Sequence, residues 1–215
     1  MLNNIENIFR KTGRDGLADI IKGVRSTLGK DIPFPPTKER VSTLEVAAEM
    51  YKENPNSPEC LTELMRSYWV EADEKSGKTT FVPEFPLKSK EIKERAKQKQ
   101  MAVFNGKDWV WIEKSVDAPN LGTNEYQLRE KIEKNGRQIM SLETYETGGR
   151  IHELLSGKYF DEEVTGSRVI RNDQVAASAY FLFDGYLSVD PYLHPEFGYE
   201  DLGGRFEELI KKPIK

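Results

Sequence analysis

Two short segments place threonine, glycine and arginine at the same spacing, a pattern suited to binding an anion. They are Thr147-Gly148-Gly149-Arg150-Ile151 and Thr165-Gly166-Ser167-Arg168-Val169. A glycine turn presents backbone N–H groups, and an adjacent arginine can bind a phosphate or carboxylate through two hydrogen bonds. The predicted anion site comprises Thr147, Gly148, Gly149, Arg150, His152, Thr165, Gly166, Arg168 and Arg171. The alternative interpretation is two ordinary loops whose arginines lie in solvent, since two copies do not make a repeat.

Acidic residues gather near the carboxyl end of the chain, around a single histidine. The acidic residues are Asp184, Asp190, Glu196, Glu200 and Asp201, and the histidine is His194. Carboxylates beside a histidine can transfer protons or hold a divalent metal ion. Their spacing matches no known ligand loop, and two prolines indicate a surface loop over 190–196. We therefore predict neither a catalytic residue nor a metal ligand in this cluster.

The fingerprints of the common enzyme and cofactor sites are absent from the sequence. It contains no GxxxxGK[ST], GxGxxG or GxSxG motif. His152-Glu153 begins like a zinc-binding HExxH helix, but Ser156 stands where the second histidine ligand belongs. We therefore expect no cofactor and favour a non-catalytic protein, with an enzyme as the alternative.

The segment 98–113 carries the strongest local signal of the chain, a β-hairpin. Asn105-Gly106 lies between two apolar runs, and this dipeptide favours a two-residue type I′ turn. Such a turn places Phe104 opposite Lys107 and Ala102 opposite Trp109.

Both faces of this hairpin are apolar, so each face requires a cover or a ligand. Met101, Val103, Val110 and Ile112 share one face, and Ala102, Phe104, Trp109 and Trp111 share the other. One interpretation buries both faces between packed layers. The other makes Phe104, Trp109 and Trp111 an open binding platform, because aromatic residues are enriched at such sites.

The remaining elements follow from periodicity, caps and turns. The sequence predicts helices over 17–28, 42–53, 58–69, 88–99, 124–134, 151–155 and 206–210, strands over 81–87 and 138–146, and a helix, with a strand as the alternative, over 174–183. The predicted fold class is α+β, with an N-terminal helical layer followed by a mostly antiparallel sheet centred on the 98–113 β-hairpin and helices packed on one face. The polar stretch 73–80 divides a helical subdomain, 1–73, from an α+β domain, 79–215, unless the two form one continuous domain.

Composition restricts the cellular setting and the partners. Of the 215 residues 37% are hydrophobic and 32% charged, and the formal net charge is −4. Cys60 is the only cysteine, so no disulfide forms within the chain. The first residues do not resemble a signal peptide, and no apolar run is long enough to span a membrane. We therefore expect a cytoplasmic protein without a membrane partner.

Three functions are compatible with these features. The first is an intracellular interaction or assembly protein that binds a protein partner, or itself, through the aromatic hairpin face. The second is an enzyme or sensor that binds a phosphate-bearing small molecule or nucleotide at the two glycine–arginine turns. The third is single-stranded nucleic-acid binding by the basic segment 88–99 with Trp109 and Trp111, which the acidic net charge disfavours.

Overall fold

The computed structural model describes residues 43–133, 136–162, 164–171, 174–191 and 193–211. Its helices are α1 (Leu44–Glu53), α2 (Pro58–Ser76), α3 (Ser89–Lys97), α4 (Glu125–Glu133) and α5 (Leu142–Ser156). Its strands are β1 (Gln100–Phe104), β2 (Trp109–Glu113), β3 (Gln138–Ile139), β4 (Gly166–Arg171), β5 (Gln174–Phe181), β6 (Leu187–Asp190), β7 (Leu202–Gly204) and β8 (Phe206–Leu209). The helix predicted over 17–28 lies outside the described residues.

Within this described part, the strands form two four-stranded sheets. The first has the order β1-β2-β8-β3 and is antiparallel throughout. The second has the order β6-β5-β4-β7, in which only β4 and β7 run parallel. The predicted α+β class, with helices preceding the sheets, is confirmed.

The first two described helices begin and end at residues that satisfy the free backbone groups of helix termini. The Thr43 side chain accepts a hydrogen bond from the N–H of Val46, so α1 starts one residue later than the predicted Ser42 cap. Ser57 accepts one from the N–H of Cys60, and Gly77 ends α2 in the left-handed conformation. The predicted start of α2 is confirmed, but the helix continues through the first half of the polar stretch 73–80, to Ser76.

The 98–113 hairpin is present, but its predicted register is wrong by two residues. Phe104 pairs with Trp109, so residues 105–108 form the loop instead of a two-residue turn. The Asn105 side chain accepts hydrogen bonds from the N–H groups of Lys107 and Asp108, which favours the longer loop. Gly106 alone in this loop has a positive φ, +96°. Because the shift is an even number of residues, the predicted faces of both strands are preserved.

One hydrophobic core joins the helices to both faces of the hairpin. It contains Leu64 and Met65 of α2 together with the β1 and β2 side chains. Trp69 of α2 also donates a hydrogen bond from its indole nitrogen to the carbonyl oxygen of Phe104, at 2.8 Å. The Cys60 side chain is buried as well. The division into 1–73 and 79–215 stays a prediction, because residues 1–42 are not described.

Residues 138–146 are mostly helical, contrary to the strand predicted there. Only Gln138 and Ile139 pair with β8, and α5 begins directly after Ser141, whose hydroxyl accepts from the N–H of Thr144. The predicted short helix over 151–155 is the last part of this longer helix. Local propensity is ambiguous in this segment, so packing of α5 against the sheets decides the outcome.

Three other element predictions differ from the structure. Residues 174–181 form β5, the predicted alternative, instead of the preferred helix, and Ala177, Ala179 and Phe181 point alternately into the core. Residues 206–209 form β8 instead of a helix and lie between β2 and β3. The segment 81–87 is extended but belongs to neither sheet. β8 pairs with strands that are distant in sequence, whereas β5 pairs with its sequence neighbours β4 and β6.

Helix α5 packs closely against both sheets because it has two consecutive glycines. A Cβ atom at Gly148 would lie 2.6 Å from Cδ1 of Ile112, and one at Gly149 would lie 2.9 Å from Cζ of Phe181. Ile112 belongs to the first sheet and Phe181 to the second, and neither side chain is exposed. The glycines therefore set the distance between α5 and the sheets.

Replacing Gly149 with alanine is expected to destabilise the fold, although alanine is the better helix former. The intrinsic helix gain is about 1 kcal/mol, whereas overpacking a filled core costs about 1–3 kcal/mol. Urea unfolding measures the difference. In the double variant Gly149→Ala with Phe181→Leu the smaller side chain relieves the overlap, so the two effects should not add. Additive effects would contradict the close contact.

Candidate functional site

The aromatic hairpin face is closed in the structure, so the predicted open platform is corrected. Phe104, Trp109 and Trp111 are each no more than 5% exposed. Phe85, from the extended segment 81–87, packs edge-on against both tryptophans at ring distances of 5.0 and 5.9 Å. Arg95 of α3 lies over the Trp111 ring at 5.3 Å. Base stacking on these tryptophans, as the nucleic-acid hypothesis requires, is therefore blocked.

The two glycine–arginine segments do not form the predicted turns. Residues 147–151 lie inside α5, where the backbone N–H groups are used by the helix. Thr165 precedes β4, and its hydroxyl accepts a hydrogen bond from the N–H of Ala118 and donates one to Asp161. Gly166 is the first residue of β4. The backbone groups expected to bind an anion are therefore already hydrogen-bonded or part of regular structure.

The cationic residues of the predicted anion site have different surroundings and do not converge. Arg150 forms an ion pair with Glu146 at 3.0 Å, one helical turn away. The Nδ1 atom of His152 donates a hydrogen bond to the carbonyl oxygen of Lys158 at 2.6 Å. Burial lowers the pKa of His152. The neutral ring therefore acts as a structural donor that closes the end of α5.

Arg168 and Arg171 are on the same strand, but Arg168 is buried and Arg171 is exposed. Arg168 is fully buried, and its Nη2 atom donates a hydrogen bond to the carbonyl oxygen of Phe197. Burial lowers the pKa of Arg168, because the guanidinium loses hydration. Arg171 is exposed at the end of β4. The predicted anion site is corrected, since Arg168 binds the backbone of the loop between β6 and β7.

A buried ion pair, absent from the sequence predictions, joins the two sheets. Arg205 lies between β7 and β8, and its Nη2 atom is 3.0 Å from Oδ1 of Asp161, with both side chains fully buried. The same guanidinium donates to the carbonyl oxygens of Ser115 and Val116, each at 2.7 Å. Its plane lies over the Phe160 ring at 4.3 Å. Arg205 therefore ties the loop after β2 to the loop after α5.

Asp161 accepts hydrogen bonds on both carboxylate oxygens and so fixes the loop that precedes β4. Its Oδ2 atom accepts from the hydroxyls of Tyr145 at 2.8 Å and Ser167 at 2.6 Å, and its Oδ1 atom accepts from Thr165 at 2.7 Å. Burial raises the pKa of Tyr145 well above its usual range, so the phenol keeps the proton that it donates. This network holds one wall of the cleft described next.

A cleft of about 510 Å³ opens on the second sheet, on the face opposite α5. Its lining residues are Asp161, Glu162, Val164, Thr165, Gly166, Ser178, Tyr180, Leu182, Asp190, Leu193, Tyr199, Asp201 and Leu202. Four of these carry carboxylates, and the described lining contains no lysine or arginine. The cleft therefore combines negative charge with apolar and aromatic walls.

Strand alternation determines which side chains reach the cleft. Ser178 and Tyr180 of β5 point to it, whereas Ala177, Ala179 and Phe181 point to the core. In β6, Asp190 shares the cleft face because it pairs with Ser178. Asp190 and Asp201 are the members of the predicted acidic cluster that the structure brings to this cleft.

The β5–β6 turn next to the cleft exposes several large apolar side chains. Leu182, Phe183 and Tyr186 are 38%, 84% and 65% exposed, and Tyr180 beside them is 37% exposed. Gly185 has a φ of +81°, and Asp184 accepts a hydrogen bond from the N–H of Tyr186, so Asp184 and Gly185 lie in a hairpin turn. Adjacent exposed aromatic residues are characteristic of interaction surfaces.

The sequence predictions missed Asp161, Arg205, Tyr180 and Tyr199. An isolated aspartate or arginine carries no local signal for burial, because its partner is decided by the fold. Tyr180 could have been found if the alternation in 177–181 had been interpreted as a strand, since its neighbours on both sides are small or apolar.

The fold and the cleft define an α+β protein with an acidic, partly aromatic opening on one sheet. Comparison with known protein families, curated proteins and solved structures finds no match to this chain. No helix within the described residues has the length and apolar character needed to cross a bilayer. Those residues also contain no group of three or more His, Cys, Asp or Glu side chains arranged to hold a metal ion.

Proposed function

We propose that this chain is a non-catalytic interaction protein of the cytoplasm, and that its binding site is the cleft on the second sheet. The observation that carries the proposal is the composition of the cleft wall. Glu162, Asp190 and Asp201 supply carboxylates, and the described lining residues supply no basic side chain. The ligand is a cationic group presented by a protein partner, because opposite charge gives complementarity and speeds association.

The three carboxylates other than Asp161 make the cleft acidic. Asp161 is buried and paired with Arg205, Glu162 is half-buried, and Asp190 and Asp201 are exposed. Val164, Tyr180 and Tyr199 stand beside these carboxylates in the lining. A lysine or arginine side chain has an apolar stem and a charged end. The stem can pack against the apolar part of the wall while the charged end pairs with the carboxylates. The tyrosine rings add a surface that attracts cations.

Tetralysine is therefore expected to bind the wild-type protein at low salt, and tetraglutamate is not. The double variant Asp190→Asn with Asp201→Asn should weaken tetralysine binding by about tenfold or more, because it removes charge from the cleft wall. Isothermal titration calorimetry measures the affinity. High salt should weaken binding of the wild type, since exposed charges are screened.

The matched control removes two negative charges elsewhere. Glu49 of α1 and Glu71 of α2 each form an ion pair within their own helix, at 3.0 and 2.8 Å. The variant Glu49→Gln with Glu71→Gln has the same net charge as the cleft variant and should bind tetralysine nearly as the wild type does. Equal losses in both variants would show that tetralysine responds to net charge alone, and the proposal would be wrong.

A further inference from the structure

We propose that the outer edge of β6, to which no described strand is paired, binds an extended basic segment of another protein, which pairs as an additional strand and directs its cationic side chains to the cleft. This inference rests on the proposed function and specifies the partner's conformation and sequence pattern. Addition of a strand to an open sheet edge is a recurrent mode of peptide recognition, in which main-chain hydrogen bonds supply affinity and alternate side chains supply specificity.

The backbone of β6 presents hydrogen-bonding groups away from the sheet. β6 is an outer strand, paired with β5 on one side. The N–H of Leu182 donates to the carbonyl of Tyr186 at 2.9 Å, which fixes the positions that bond across this hairpin. By the antiparallel alternation, the backbone of Ser188 faces β5, while the backbones of Leu187 and Val189 face outward. Within the described part of the chain, no other segment pairs with these two backbones.

The side chains of β6 determine the sequence pattern that an added strand would need. Leu187 and Val189 pack against the core, whereas Ser188 and Asp190 belong to the cleft face. An added strand lies about 4.8 Å away and alternates in the same manner. Its residues on the core side would adjoin Leu187 and Val189, and those on the other side would adjoin Asp190. The pattern expected of the partner is therefore alternating apolar and basic residues.

Two features limit the length of the added strand. β6 has four residues, and Pro191 after it has no N–H group to donate. Short strands and prolines protect exposed sheet edges from indiscriminate pairing. A partner therefore pairs over only about four residues and depends on its side chains for affinity. The exposed Phe183 and Tyr186 rings at the start of β6 provide an apolar contact for the end of such a segment.

The test uses the fluorescently labelled peptide acetyl-Val-Lys-Val-Lys-Val-Lys-amide, whose binding to the full chain is measured by fluorescence anisotropy. Three comparison peptides separate the contributions of main-chain hydrogen bonds, of side-chain charge and of the alternating sequence to binding. One has N-methyl groups on alternate amides and cannot donate along one edge, one has glutamate in place of lysine, and the third is tetralysine. We expect the parent peptide to bind more tightly than tetralysine. N-methylation should weaken it by about tenfold or more, and the glutamate peptide should not bind.

A pair of variants tests the edge of the protein itself. Val189→Pro removes an outward N–H without removing a bond to β5, and proline is tolerated on edge strands. Val189→Ala keeps that N–H and removes side-chain packing, so it is the matched control. Circular dichroism checks that both variants fold. Val189→Pro is expected to weaken binding of the parent peptide much more than Val189→Ala does.

The outcomes distinguish this inference from the proposed function. Suppose that the double variant Asp190→Asn with Asp201→Asn loses peptide binding, while N-methylation and Val189→Pro have no effect. That result would overturn strand addition and would leave the proposal of a cation-binding cleft in place. Failure of both tetralysine and the parent peptide to bind would overturn both proposals. Self-association of the wild type that Val189→Pro abolishes would assign the edge to a second copy of this chain and overturn the basic partner.

Discussion

Replacing Arg205 with methionine is expected to destabilise the protein by about 3–5 kcal/mol, the cost of leaving one member of a buried ion pair without its partner. Arg205 and Asp161 are both fully buried, and the Asp161 carboxylate would keep only hydroxyl donors. The variant also leaves the carbonyl oxygens of Ser115 and Val116 without their donor. Urea unfolding, monitored by tryptophan fluorescence, measures the change.

A matched substitution and a double variant complete this experiment. Arg129→Met removes an arginine whose ion pairs with Glu125 and Glu133 lie along α4, where solvent reaches the guanidinium. That change should cost no more than about 1 kcal/mol. In a double-mutant cycle, Asp161→Asn combined with Arg205→Met should cost less than the sum of the single changes. A loss for Arg205→Met no larger than that for Arg129→Met would contradict the assigned role of the buried pair.

Replacing Trp111 with alanine is expected to cost about 3–5 kcal/mol, as for other large aromatic residues in a core. Trp111 is 2% exposed, packs against the Phe85 ring and lies beneath the Arg95 guanidinium. If Trp111 belonged to an exposed platform, its replacement with alanine would instead change the free energy of unfolding by no more than about 0.5 kcal/mol. The urea midpoint therefore distinguishes the core role from the platform role directly.

Phe183 provides the control for this second prediction, because it is a large aromatic residue that is 84% exposed. Phe183→Ala should leave the free energy of unfolding within about 0.5 kcal/mol of the wild type. If Trp111→Ala were equally neutral, the closed hairpin face would be wrong and the platform hypothesis would return. A large loss for Phe183→Ala would instead show that the β5–β6 turn is not an open surface.

The role of Trp111 could be partly predicted from the sequence, whereas the role of Arg205 could not. Trp111 could be placed on a face of the hairpin, and the interpretation with both faces covered follows from the need to remove apolar surface from water. Whether that face meets Phe85 or a ligand is not a local property. Arg205 offered no pattern at all, because Asp161 is 44 residues away.

The predicted anion site failed for an instructive reason. Gly148 and Gly149 indicate a turn when only neighbours in sequence are considered, because glycine favours turns and weakens helices. In the structure they lie within α5, where the missing side chains make room for Ile112 and Phe181. The cost of glycine in a helix is offset by packing that the sequence does not reveal.

The sequence by itself determined the elements whose signals are local. The start of α2 at Ser57-Pro58, the end of α4 near Gly136 and the existence of the 98–113 hairpin depend on caps, glycines and alternation within a few residues. Only the tertiary structure decided between helix and strand for 174–181 and showed that 206–209 is a strand. It also decided which carboxylates face the cleft and that Asp161 pairs with Arg205. The pairing of β8 with β2 and β3 and the ion pair of Arg205 with Asp161 join distant residues, and the energy of any such pair depends on neighbours that local propensity does not specify.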